Sequence, residues 1–246
     1  MAVSLSNIKK RPIPWAVFFK ETNLKTAVFI DGAYFLKRFK YVFPQKDITN
    51  PQEVAKALFS MCLSHLADKN QEETELYRIF YYDCPPLMKK VHYPISKKCL
   101  DFSKTSTAIF KEAFINELKK KRKCALRLGR LQDLDGWILS SATIKKLLQG
   151  KIKFEDMNDD DFEYGIRQKQ IDMKIGVDIA SVAYKKQAQR IVLVAGDADF
   201  VPAAKLARRE GVDFILDPMW KSISADLFEH IDGLKTYKRF AKSKKD

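Results

Sequence analysis

IVLVAGDADFVP, residues 191–202, decides the fold. Ile191 to Val194 form an unbroken apolar run, the composition of a strand covered on both faces inside a parallel sheet. The run stops at Ala195-Gly196. Asp197 and Asp199 follow, two residues apart, ahead of a helix that carries Pro202 in its first turn. Open α/β sheets bind ligands beyond the carboxyl ends of their strands. Two carboxylates there, beside a glycine that lets the backbone come close, suit a hard divalent cation.

A second stretch ends the same way. KTAVFIDG, residues 25–32, gives an apolar run over Ala27 to Ile30, then Asp31-Gly32, then the helical pattern AYFLKRFKY. A third source of carboxylates is QIDMKIGVDIASVAYKK, residues 170–186. Ile171, Ile175, Ile179 and Val182 recur at helical spacing and mark a buried stripe. Asp178 falls at the margin of that stripe, where a charge can face a cleft. Asp172 falls on the other flank, six residues earlier, and helical spacing alone does not bring the two to one point.

Composition narrows the function. The chain has 246 residues, enough for a sizeable core, with 46% hydrophobic and 12% aromatic residues, as in a globular protein. Lys and Arg number 45 against 31 Asp and Glu, a formal charge of +14 that a long polyanion uses better than a small metabolite does. No apolar run approaches a membrane span, and the N-terminal MAVSLSNIKKRPIPW lacks the core of a secretion signal. Cys62, Cys84, Cys99 and Cys124 form no C-x-x-C pair, and with only three histidines there is no zinc pattern. A reduced, cytoplasmic protein with no membrane partner is the expectation.

Elements alternate along the chain. PQEVAKALFSMCLSHLAD (51–68) reads as a helix opened by Asn50 and Pro51, and ELYRIFYYDC (75–84) as a strand closing at Asp83. A loop of about twenty residues follows, long enough to suggest a purpose. Residues 105–123 read as a helix and 124–131 as a strand. Residues 132–165 look inserted, with a turn at Asp135-Gly136, a short helix over 140–150 and an acidic run over 155–163. A helix (170–187), strand (191–195), helix (199–210), strand (212–217) and a last helix from Ser222 complete the pattern. Strand, helix, strand with short turns implies right-handed crossovers and helices on both faces of the sheet.

FIDGAYF, QKQIDMKIGVDIA and VAGDADFVPAAKLARREG together resemble the NYN domain, the PIN-like nuclease group that includes the LabA-like bacterial proteins. The resemblance runs from about residue 25 to about 232. It leaves 1–24 as an N-terminal extension and 233–246 as a basic C-terminal tail. It implies a PIN-like, Rossmannoid three-layer α/β sandwich with a mainly parallel sheet and an inserted segment. It also implies Mg²⁺ or Mn²⁺ at a cluster of aspartates that hydrolyses RNA: Asp31, Asp178 and Asp197, with Asp199 as a fourth carboxylate and Asp172 as a recurring aspartate of less defined role. Many members carry Asn three residues after the first aspartate, where this chain has Tyr34.

The chemistry stands beside that resemblance. Phosphodiester hydrolysis needs a nucleophile near neutral pH and builds charge on the non-bridging oxygens, and a divalent ion serves both needs. With no His in these motifs, the metal must generate the nucleophile. Basic residues in the long loop (Lys89, Lys90, Lys97, Lys98, beside Tyr93) and at the end of a helix (Lys121, Arg122, Lys123) are the candidate RNA contacts. DNA is a second candidate substrate, and a homodimer would double the basic track. Plainer readings stand alongside. Asp199 as a helix cap, Asp31-Gly32 as an ordinary turn, Asp178 paired with Lys174 or Lys186, and the lysine block as a solvated helix end would each need no ligand. The rival function is a catalytically silent RNA-binding or scaffold protein that retains the fold.

Overall fold

The computed structural model describes residues 24–67 and 74–238. The N-terminal extension, except Leu24, and the tail from residue 239 lie outside the described residues. In chain order the elements are β1 (Lys25–Asp31), α1 (Gly32–Val42), α2 (Pro51–Ser64), β2 (Glu75–Asp83), β3 (Lys90–His92) and β4 (Cys99–Asp101). Next come α3 (Ser106–Lys119), β5 (Cys124–Leu128), β6 (Arg130–Leu139), α4 (Ser141–Leu148), β7 (Phe162–Lys169) and α5 (Ile171–Tyr184). The last are β8 (Arg190–Val194), α6 (Val201–Arg209), β9 (Asp213–Asp217), α7 (Ala225–Glu229) and β10 (Gly233–Leu234).

Six strands form one sheet in the order β10-β9-β8-β1-β2-β5, and every neighbouring pair is parallel. The quoted run behaves as its composition requires: Ile191 and Leu193 join the core on one face, Val192 and Val194 the core on the other. Ile171, Ile175, Ile179 and Val182 of α5 cover the first face, together with Ala204 and Ala207 of α6. Phe35 and Phe39 of α1, Leu58 and Met61 of α2 and Phe114 of α3 cover the second. The result is a three-layer α/β sandwich. Because all six strands run the same way, their carboxyl ends lie along one edge of the sheet.

Two local signals act as read. Asn50 caps α2 by accepting from the N–H groups of Gln52 and Glu53, with Pro51 at the first helical position. The long loop and the insertion are more ordered than expected. The loop folds back as the antiparallel hairpin β3–β4, and the insertion as a ribbon, β6–β7. Asp135-Gly136 is no turn between elements; it lies within β6, at a register irregularity between Asp133 and Trp137. A strand at 162–169 was masked in the sequence by the acidic run before it. Gly233–Leu234 pairs with β9, so the sheet extends past residue 232 into the segment assigned to the tail.

The ribbon and the hairpin brace each other above the carboxyl edge. Trp137 stacks on Tyr93 at 5.1 Å, meets Tyr164 edge-on at 5.4 Å, and donates its indole N–H to His92 O at 2.8 Å. Trp137 therefore sits at the interface between ribbon and hairpin. Tyr93 is committed to that stack instead of standing free for a base.

Candidate metal centre

Asp31 is the last residue of β1 and also the cap of α1, where its Oδ1 accepts from Tyr34 N–H at 3.1 Å. Gly32 follows because nothing larger fits: a Cβ there would lie 2.6 Å from Tyr82 O and run into the Tyr81 ring. Burial pushes the Asp31 carboxyl from its ordinary 3.8 up to about 6. The Tyr34 N–H opposes this, while the charges of Asp172 and Asp83 add to it.

Asp172 sits in the first turn of α5, after Gln170, which holds a left-handed conformation with φ 74°. A non-glycine residue in that region stores strain that its surroundings must support. Burial raises the Asp172 carboxyl above its ordinary range, and repulsion from Asp197 and Asp199 adds to the effect. Asp197 caps the short 3₁₀ turn Ala198–Phe200, its Oδ1 accepting from Asp199 N–H at 3.2 Å. The capping role foreseen for Asp199 thus belongs to Asp197. A chain of mutual repulsion links Asp31 to Asp172, and Asp172 to Asp197 and Asp199.

Asp178 faces elsewhere. Its Oδ2 accepts from Tyr82 Oη at 2.8 Å and from Arg127 Nε at 2.9 Å, and Arg127 also lies 5.4 Å from the Phe80 ring centroid. The charges of Asp172 and Asp83 both bear on Asp31. The ion-pair reading was right in kind, but the partner is Arg127, from β5, a contact no helical spacing reveals. Asp83 closes β2 one residue beyond the level of Asp31 and is fully buried. It pairs with Lys111 at 2.7 Å and accepts from Cys84 N–H at 2.7 Å.

Tyr34 occupies the place of the familiar Asn. Its hydroxyl donates to Pro218 O at 2.6 Å, and burial pushes its pKa up to about 12, so it stays a neutral donor. Among the described residues, no three His, Cys, Asp or Glu side chains are drawn together closely enough to hold an ion. The donor set nevertheless fits a hard cation in kind: Asp31, Asp172, Asp197 and Asp199 offer only carboxylate oxygens, from the end of β1, the turn after β8 and the start of α5.

The basic candidates divide by edge. Lys121, Arg122 and Lys123 precede β5, at the amino edge of a sheet whose acidic residues line the carboxyl edge. Lys123 is further committed to Glu75 at 2.8 Å and to Leu76 O, with its own backbone left-handed at φ 59°. They face away from the acidic edge. Lys89, Lys90, Lys97 and Lys98 lie in or beside the hairpin on the carboxyl side. Lys89 binds Asp133 and the Tyr164 hydroxyl, and Lys97 Nζ donates to Pro94 O at 2.8 Å. Lys90, 73% exposed, lies 3.9 Å from Asp101, and Lys98 is likewise exposed.

A parallel sheet between two helical layers, with aspartates on its carboxyl edge, defines a PIN-like α/β protein. The NYN domain model matches residues 25–232, and the chain belongs to that family. NYN domains are in general PIN-like nucleases that use divalent metals. No curated protein matches the chain. A solved structure of a protein of unknown function from Vibrio parahaemolyticus is similar at 12% identity and a TM-score of 0.42, covering 89% of this chain and 95% of that one. Among the described residues, no helix is long and apolar enough to cross a membrane.

Proposed function

We propose that the protein is a metal-dependent ribonuclease whose Asp31, Asp172, Asp197 and Asp199 hold Mg²⁺ or Mn²⁺ at the carboxyl edge of the sheet. The observation that carries this reading is the meeting of acidic side chains from β1, α5 and the turn after β8 at one edge of the sheet, where Asp172 bears on the part-buried Asp31, and Asp197 and Asp199 bear on Asp172. Folding concentrates negative charge there at a cost, and a cation would remove that cost. When bound, such an ion activates water and neutralises charge developing on the phosphate.

The chain's own residues do the positioning. The Tyr34 N–H holds the Asp31 carboxylate over the start of α1, and the Asp199 N–H holds that of Asp197. Asp83, held by Lys111, the Cys84 N–H and the Tyr81 hydroxyl, adds to the negative field at Asp31. Asp178 supports the site from beside it, tying α5 to β2 and β5.

Support for RNA as the polymer is the charge of +14 and the family's general activity. The test is cleavage of single-stranded and structured RNA in Mn²⁺. Wild type should cut, EDTA should stop it, and Asp197→Asn should be inactive. Equal cleavage by wild type and Asp197→Asn would remove the assigned site.

A further inference from the structure

A cavity of about 430 Å³ opens between the foot of the β6–β7 ribbon, the loop after β2 and the first turn of α3. Leu87, Phe102, Leu131 and Ile166 supply apolar walls. Thr107 and Gln168 stand at its polar side, and Lys111 links it to Asp83, whose charge reaches Asp31. Gln168 lies four residues before Asp172. The cavity therefore sits on the carboxyl edge, next to the acidic cluster. A shallower groove, with Lys90 and Lys104 in its wall, adjoins it through the shared Thr105.

We propose that this cavity takes one unpaired nucleobase of the RNA strand being cut, with the neighbouring phosphates lying along the Lys90–Lys104 groove. The inference rests on the ribonuclease reading and names a subsite for it. Apolar walls with a few polar groups suit a flat heteroaromatic ring, whose faces want desolvation and whose edges want hydrogen bonds. Gln168 has both an amide donor and a carbonyl acceptor for such an edge. The charge order matches a nucleotide: an apolar slot for the base, cations for the phosphates, acidic residues where a cation would meet the scissile group. A duplex could not enter, because its bases are stacked and paired.

The test compares two fluorescent six-unit strands, a ribonucleotide hexamer and an abasic strand with the same number of phosphates, binding the full chain by anisotropy in EDTA. An Asp197→Asn background prevents cleavage, so a failure of the nuclease reading would appear in the cleavage assay and leave this ratio readable. The base-bearing strand should bind about tenfold tighter than the abasic one, from the burial and stacking of a single base. Ile166→Asp, at a wall position 45% exposed, should bring that ratio close to one. Ile109→Asp adds the same charge at a position 58% exposed outside the cavity and should leave the ratio intact. Equal binding of the two strands, or a ratio unchanged by Ile166→Asp, would overturn the proposal.

Discussion

Tyr34 lies so tightly across Gly196 that a Cβ there would come within 2.6–2.8 Å of its ring. The same hydroxyl reaches Pro218 O, and one turn along the helix Arg38 donates twice to Met219 O, at 3.1 and 2.9 Å. Helix α1 is thus pinned to the loop after β9, and Tyr34 is wedged between the two aspartate-bearing turns. Gly196→Ala should lower the melting temperature by several degrees, as overpacking costs about 1–3 kcal/mol. Tyr34→Asn should relieve most of that loss in the double variant, read as non-additivity in thermal denaturation. Full additivity would mean the ring does not constrain Gly196.

Asp31 carries a pH dependence with a definite sign. Its folded pKa of about 6 exceeds the ordinary 3.8, so the native chain holds this proton more tightly than the unfolded one. Stability from this group is therefore present below about pH 4 and is lost as pH rises through about 6. Asp31→Asn should raise the metal-free protein's stability at pH 7.5 by about 1–3 kcal/mol, with the gain fading near pH 4. Asn preserves the cap on α1, so the comparison isolates the charge. Mn²⁺ should stabilise wild type and not the variant. Denaturant melts at the two pH values check both points.

Lys111 and Asp83 form the buried pair beside the site, with side chains 16% and 0% exposed. Lys111→Met leaves a fully buried carboxylate without its cation, and should cost about 3–5 kcal/mol in denaturant unfolding. Adding Asp83→Asn should recover much of that loss. A Lys111→Met protein as stable as wild type would show that Tyr81 and the Cys84 N–H suffice for Asp83.

Cations on the two edges of the sheet should differ in effect. Lys90→Glu with Lys104→Glu should weaken RNA binding at low salt and flatten its salt dependence, since each lost phosphate contact lowers the slope by about one. Lys121→Glu with Arg122→Glu, at the amino edge, should change both far less. Filter binding across a salt series makes the comparison. The reverse ranking would move the docking face to the other edge.

Much of this was legible because burial on both faces leaves a plain mark. The runs at 27–30 and 191–194 read as interior parallel strands, and their ends put Asp31 and Asp197 at one edge of the sheet. The stripe Ile171–Ile175–Ile179–Val182 fixed the buried face of α5. It could not rank Asp172 against Asp178, because that ranking depends on what packs beside the helix: Arg127 and Tyr82 come from strands dozens of residues away. The β6–β7 ribbon was hidden for another reason. Its outward residues, including Leu134, Ile138 and Ile166, are half exposed, so alternation between core and solvent is weak. Lys121 and its neighbours looked like a polyanion site by charge alone; only strand direction shows which edge they occupy.

In the proposed site Asp172, and not Asp178, is the α5 carboxylate that shares the ion with Asp31 and Asp197. Single-turnover RNA cleavage in Mn²⁺ by Asp172→Asn and Asp178→Asn, each checked for folding, tests it directly. Asp172→Asn should slow the chemical step on the order of 100-fold or more, as loss of a metal-holding carboxylate removes several kcal/mol of transition-state stabilisation. Asp178→Asn should remain within about tenfold of wild type, in line with a residue that acts through its neighbours. The opposite ranking, or full activity in Asp172→Asn, would contradict the account.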